Sequence, residues 1–254
     1  MLMTRVMPCL LLKDGALVKT VKFKDPGYIG DPINAIRIYN EKEVDELIFL
    51  DITATIEKRE PPYKVLSEIA SECFMPVTYG GGVHDVETIR KILSLGIEKV
   101  AINSHAVTKP EFIRAAADKF GSSTIVVSID VRKKLFGRYE VATHSGRKST
   151  GLDPVDFAIK MEQMGAGEIL LNSIDRDGTQ EGYDIDLIKS VTSTIGVPLI
   201  ACGGAGKIDD FRAAVKEGGA SACAAGSMVV YFGRNRAVLI NFPEREKLED
   251  VLGE

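Results

Sequence analysis

Met75-Pro76-Val77-Thr78-Tyr79-Gly80-Gly81-Gly82 is a short apolar run that opens after a proline and stops at three glycines. It reads as a buried strand that leaves its sheet in a tight turn. Asp85 to Leu95 follows, with an N-cap-type Asp, Ile89, Ile92 and Leu93 on one face, and Gly96 at its end; this is an amphipathic helix. A second apolar run then ends at Asn103-Ser104. The same succession returns as Val197-Pro198-Leu199, Gly203-Gly204, a helix, Gly218 and Gly226-Ser227. Pro76 and Pro198, Gly81 and Gly203, and Gly96 and Gly218 are each separated by 122 positions. In the same frame Val44-Asp45-Glu46-Leu47-Ile48 matches Ala166-Gly167-Glu168-Ile169-Leu170, so each half supplies four strands and the halves read as an internal repeat. The competing reading is a coincidence of glycine placement.

The pattern extends outward in both directions. Strands are expected at Val6 to Leu11, Leu47 to Asp51, Pro76 to Tyr79, Lys99 to Ile102, Thr124 to Ile129, Glu168 to Leu171, Pro198 to Ala201 and Ser221 to Ala225. Helical stretches alternate with them, among them Asp153 to Met164 before Gly165. Strand-helix alternation implies a parallel sheet, and eight units in 254 residues fit a closed (β/α)8 TIM barrel with approximate twofold symmetry, one domain over residues 1–254. A doubly wound dinucleotide fold would need a Gly-rich fingerprint after the first strand, which is absent.

Composition removes other classes. A net charge of −4 with no long Lys/Arg cluster leaves no footprint for a nucleic-acid backbone. The early apolar run Val6 to Leu12 is too short to span a membrane, being broken by Lys13 and Asp14, so no membrane partner is expected. The four cysteines, Cys9, Cys73, Cys202 and Cys223, lie far apart without a Cys-x-x-Cys pair, which is the usage of a reducing cytoplasm. The three histidines, His84, His105 and His144, show no ligand spacing, so neither metal nor cofactor is expected. None of the cysteines sits on a Gly-flanked nucleophile turn, so no cysteine nucleophile is expected. His84, just after the glycines, is expected to cap the next helix.

In such a barrel the chemistry gathers where strands end. Gly81-Gly82 with Asn103-Ser104, and Gly203-Gly204 with Gly226-Ser227, form two cradles whose backbone can approach an anion closely, so a phosphorylated small molecule with two phosphate-like ends is expected. The alternative role of such glycines is a tight turn. Asp130 ends an apolar strand, where burial would raise its pKa and suit acid or base catalysis; a strand-end Asp also commonly caps a loop. Asp51, Asn172 and Asp177 add polar groups over the mouth, and Lys19 on the long first loop can close over a phosphate, although a loop lysine is commonly just solvated. At the opposite end Arg5, Glu46, Lys99 and Glu168 stand at four strand starts. From position alone they read as solvated charges of the stability face.

These residues together carry a family resemblance over nearly the whole chain. Cys9, Lys13-Asp14-Gly15, Gly30-Asp31-Pro32, Phe49-Leu50-Asp51-Ile52, Gly80-Gly81-Gly82, Asp130, Gly165-Ala166-Gly167-Glu168-Ile169-Leu170-Leu171 and Ser173-Ile174-Asp175-Arg176-Asp177-Gly178-Thr179 resemble HisF, the cyclase subunit of imidazole glycerol phosphate synthase. The resemblance implies a (β/α)8 barrel that takes ammonia from a separate HisH-like glutaminase, bound at the N-terminal barrel face, and uses it on a bisphosphorylated ribonucleotide by lyase and cyclisation steps. It also implies that Arg5, Glu46, Lys99 and Glu168 gate the ammonia passage.

One position departs. The family pairs Asp130 with an Asp at the end of the first strand, where this chain has Leu11, and leucine carries no proton. Asp14 does not replace it, because strand alternation sends residues 11 and 14 to opposite sides. The segment from Lys22 to Pro32 and the tail Phe232-Gly233-Arg234-Asn235-Arg236-Ala237-Val238-Leu239-Ile240-Asn241 resemble the amidation-associated HisF-like paralogues (WbuZ type) of surface-polysaccharide O-antigen clusters. That likeness implies a barrel passing ammonia to a sugar-modifying amidotransferase that builds an amidino group on a nucleotide-linked sugar. Two alternatives stand beside it: a histidine-pathway cyclase/lyase that tolerates Leu11, and a single-chain phosphosugar isomerase on the same barrel.

Overall fold

The computed structural model describes residues 4–233 and 235–253. Arg234 of the tail motif, with residues 1–3 and 254, lies outside the described residues. Eight parallel strands close on themselves: β1 (Arg5–Lys13), β2 (Leu47–Asp51), β3 (Val77–Gly80), β4 (Lys99–Ile102), β5 (Ile125–Lys133), β6 (Glu168–Ser173), β7 (Leu199–Cys202) and β8 (Ala222–Ala225). Each pairs with the next, and β8 pairs with β1 from Arg5↔Ala222 to Pro8↔Ala225. The chain is a (β/α)8 barrel.

Eight outer helices follow the strands: α1 (Pro32–Glu41), α2 (Tyr63–Glu72), α3 (Val86–Ser94), α4 (Glu111–Phe120), α5 (Pro154–Gln163), α6 (Ile185–Thr192), α7 (Ile208–Arg212, continued by a π turn) and α8 (Arg245–Leu252). Their starts are set by local chemistry. Asp31, Asp85, Asp153 and Asp184 each accept hydrogen bonds from first-turn N–H groups, and proline holds the first helical position of α1 and α5,. Asp85, not His84, caps α3: its Oδ1 accepts from Thr88 N at 2.7 Å, while His84 Nδ1 lies 2.7 Å from Gly82 O. A carboxylate reaches the third N–H of a helix with a shorter side chain than the imidazole, and the ring is drawn back to the glycine turn instead.

Two cores result from strand alternation. Outward side chains such as Val6, Leu10, Phe49, Tyr79 and Ile129 pack under the helices. Inward ones, Met7, Cys9, Ile48, Ala101, Val126, Leu170, Ile200, Cys202, Ala222 and Ala224, fill the barrel.

The stretch after β1 is a β-hairpin (Ala16–Val21 with Lys24–Gly30), not an open loop. Lys22 and Phe23 both have positive φ at its tip, the backbone of a two-residue hairpin turn, for which neither residue type is a signal. A second hairpin extends β5 through Tyr139–Thr143 and Lys148–Ser149, and a third joins Tyr231–Phe232 to Ala237–Val238. All three rise from the C-terminal ends of strands and rim the mouth.

Candidate active site and charged ring

At the C-terminal mouth lies a cavity of about 430 Å³ lined by every expected ligand position: Lys19, Asp51, Gly81, Gly82, Asn103, Ser104, Asp130, Asn172, Asp177, Gly203, Gly204, Gly226 and Ser227. Leu11 lines it too. Asp14 sits exposed in the turn after β1 with positive φ and does not line the cavity.

The two glycine cradles are built alike. Gly81 and Gly203 have positive φ, and a side chain on either would strike a preceding strand end, at 2.6 Å from Asp51 O and from Ser173 O respectively; only glycine fits such an approach. One-turn helices, Ser104–Thr108 and Ser227–Val230, follow the cradles, entered through Asn103 (φ −112°, ψ −81°) and Gly226 (φ −106°, ψ −84°). The cradles are not equally open. Gly82 N–H already donates to Thr55 Oγ1 at 3.3 Å, and the Ser104 hydroxyl accepts from His144 N at 3.0 Å.

The carboxylates divide by their partners. Asp51 takes Arg59 Nη2 at 2.8 Å and the N–H groups of Thr53 and Ala54 at 3.0 Å, so it organises its loop and has little capacity left for a ligand. Asp177 accepts from Lys19 Nζ at 2.8 Å and from Thr20 Oγ1 at 3.0 Å. Lys19 is therefore a buried strand lysine held by an ion pair, not a solvated loop lysine. Asp130, on β5 across the barrel from Leu11, faces the cavity with burial and the nearby Asp177 charge raising its pKa to about 7. Such a group both accepts and donates a proton near neutrality.

That pKa carries a stability signature. The unfolded carboxyl ionises near pH 4, so the native state binds the extra proton between about pH 4 and about pH 7 and loses stability as pH rises through that window,. Asp130→Asn removes the penalty. We expect it to melt above the wild type at pH 8 by roughly 1–2 kcal/mol, the full shift being discounted for cavity water, with the gap gone near pH 4. Thermal melts at the two pH values check this; an equal gap at both contradicts it.

Four charges close the opposite end. Arg5 Nη1 meets Glu46 Oε2 at 2.5 Å and its other nitrogen pairs with Glu168, while Lys99 Nζ lies 2.8 Å from Glu46 and 2.9 Å from Glu168. The ring alternates in sign. Glu46 and Glu168 are buried (3% and 6% exposed), which corrects the solvated reading of these strand starts. Burial alone would lower the Arg5 pKa, but hydrogen bonds and charge from Glu168 and Glu46 outweigh it and raise the value. Stepping by two along β1, β4 and β6 leads from the ring through Met7, Cys9, Ala101 and Leu170 to Leu11, Asn103 and Asn172 at the cavity.

Sequence reasoning missed several groups. All three histidines line the cavity; burial lowers the pKa of His105 and His144, aided by Lys109 and Lys148. Ser145 Oγ on the second hairpin donates to Ile52 O at 2.6 Å and ties that hairpin to the β2 loop. Positive φ at His144, Ser145 and Gly146 makes the turn of this hairpin, and the Ser145-Gly146 dipeptide is the sequence signal that marks it. Among the described residues, no group of three or more His, Cys, Asp or Glu is arranged to hold a metal, and no helix is long and apolar enough to cross a membrane.

Residues 5–235 match the family model described as "Histidine biosynthesis protein". The chain is 53% identical over 249 residues to "Putative imidazole glycerol phosphate synthase subunit hisF2" of Pseudomonas aeruginosa, covering 98% of this chain and 99% of that one. It is 47% identical over 250 residues to "Putative imidazole glycerol phosphate synthase subunit HisF" of Leptospira interrogans, with 98% of each covered. With "Putative imidazole glycerol phosphate synthase subunit hisF3" of Vibrio vulnificus it shares 44% over 253 residues, 99% of this chain and 97% of the other.

Proposed function

Because this chain belongs to the histidine biosynthesis protein family, as a HisF-like member, we propose that its barrel receives ammonia from a separate glutaminase and passes it along the axis for amidination of a nucleotide-linked sugar, rather than closing an imidazole. The observation that carries this reading is the complete charged ring beside an incomplete acid pair. Arg5, Glu46, Lys99 and Glu168 are all present and mutually paired, whereas Asp130 faces Leu11 across the cavity in place of a second carboxyl group.

The glutaminase, HisH-like, docks at the ring face, and ammonia leaves at the mouth. There the rim suits a further protein: of the nine exposed large apolar side chains among the described residues, Val21, Tyr28, Leu135, Phe136, Leu152, Phe232, Val238 and Leu239 lie on or beside the three hairpins, and only Phe74 lies elsewhere. Exposed apolar clusters of this kind mark protein contacts. The partner at the rim is the sugar-modifying amidotransferase. The two cradles, which we read as the same element in two half-barrels, hold a phosphorylated substrate or an effector that signals through the barrel to the glutaminase. The cytoplasm, reducing and rich in glutamine, suits the four free cysteines,.

The retained cradles and Asp130 favour the second reading, a histidine-pathway cyclase/lyase. A phosphosugar isomerase has no use for the charged ring. Turnover of the bisphosphorylated histidine-pathway ribonucleotide with saturating ammonium salt separates the first two: the proposal expects no imidazole product from the wild type, and ready turnover overturns it.

A further inference from the structure

Arg236 is used by none of the roles above. It lies in the turn of the third hairpin, its N–H donating to Gly233 O at 3.1 Å, and its guanidinium turns back over the Tyr231 ring, 4.9 Å from the centroid. Through Nη2 it donates to Gly178 O at 2.8 Å and to Ser227 Oγ at 3.2 Å. Both acceptors belong to residues lining the cavity.

The charge on this group is unmatched. Among the described residues no carboxylate pairs with Arg236, and its Nε is buried without a partner. The nearby Lys19 ammonium does not share the excess, because Asp177 neutralises it at 2.8 Å. A guanidinium partly withdrawn from water with only neutral acceptors is costly to hold and is relieved by an anion. On the same wall Asn172, 5% exposed, leaves Oδ1 without a donor. An unmatched cation and an unmatched acceptor call for a ligand that offers both a phosphoryl oxygen and a hydroxyl.

We propose that Arg236 is the positioning and charge-setting residue for the phosphate end of a sugar-phosphate ligand at the Gly203-Gly204 and Gly226-Ser227 pole. By donating to a lone pair of Ser227 Oγ it leaves the hydroxyl hydrogen free to point at a phosphoryl oxygen, and it gives that pole a net positive charge. The inference rests on the reading of this cavity as a phosphate-ester site.

The test is calorimetric titration with ribose 5-phosphate. Arg236→Met should bind roughly tenfold or more weakly than the wild type, the scale of one charge-assisted hydrogen bond, and with a shallower salt dependence. Arg236→Lys should recover part of the loss. In a double-mutant cycle with Ser227→Ala the two losses should fall short of additive, because one residue acts through the other. A merely structural role would lower the melting temperature of Arg236→Met and Arg236→Lys alike and leave the salt dependence unchanged. Equal binding by the wild type and Arg236→Met, or strict additivity in the cycle, overturns the role of Arg236 while the cavity reading stands. No binding by the wild type overturns both. Should Arg236→Met fail to fold, Arg236→Lys and its cycle with Ser227→Ala still decide the matter.

Discussion

On the proposed function, Leu11→Asp should confer an imidazole-forming activity that the wild type lacks. Leu11 sits on β1 with its side chain in the cavity, paired to Leu50 on β2 and Val18 on the first hairpin, and Asp130 on β5 stands opposite with its pKa near 7. An aspartate at position 11 would complete a pair of carboxyl groups across one cavity. A positioned acid or base is worth about 10² to 10⁴ in rate, so turnover of the bisphosphorylated ribonucleotide with ammonium salt should rise by at least about 10²-fold over the wild type. Adding Asp130→Asn should abolish the gain. If Leu11→Asp is as inactive as the wild type while still binding the substrate, the cavity has lost more than one acid and its descent from a cyclase site is not functional.

Lys99→Met should be the most damaging change at the other end. Among the described residues, Lys99 is the only cation besides Arg5 that pairs with Glu46 and Glu168, and both glutamates are buried. Removing it leaves two withdrawn carboxylates sharing one guanidinium. Breaking a buried pair costs about 3–5 kcal/mol; because Lys99 retains 19% side-chain exposure, the lower end, roughly 3 kcal/mol, is expected. In a chain of this size that is a drop of roughly 6–12 °C in melting temperature. Scanning calorimetry reads it directly. A change under roughly 0.5 kcal/mol would mean the ring is solvated and carries no structural charge balance.

The barrel was readable because each strand is short, apolar and closed by Gly, Asp or Asn. Val77–Gly80 and Leu199–Cys202 begin just after their prolines and end one residue beyond expectation, a difference that leaves register and facing intact. Cavity residues were readable for the same reason: strand ends are fixed by topology, so Asn103, Asp130 and Asn172 reach the mouth whatever the loops do. Hairpins were harder. Lys22-Phe23 adopts positive φ without glycine or asparagine, and a contact across the mouth, Lys22 N to Asp177 O at 2.8 Å, holds it there. Lys19 belongs to the first of these hairpins, and its burial follows from the long-range pair with Asp177, which leaves no local pattern. Arg236 was invisible for a different reason: its contacts with Gly178 and Ser227 span 58 and 9 residues and follow no local period. The charged ring lay between these cases, its members set by strand starts but their burial and pairing decided only when the barrel closes.

On the proposed function, nitrogen travels inside the protein from a glutaminase at the ring to an acceptor at the mouth. The most direct measurement supplies the complex of this chain, its glutaminase and its sugar-amidating enzyme with glutamine labelled with nitrogen-15 at the amide, in an excess of unlabelled ammonium salt, and reads the isotope in the amidino product. Retention of the glutamine label, and its loss to the solvent pool in Lys99→Met, is the expected result. A product carrying the isotope ratio of the bulk solution with the wild-type barrel would contradict the claim.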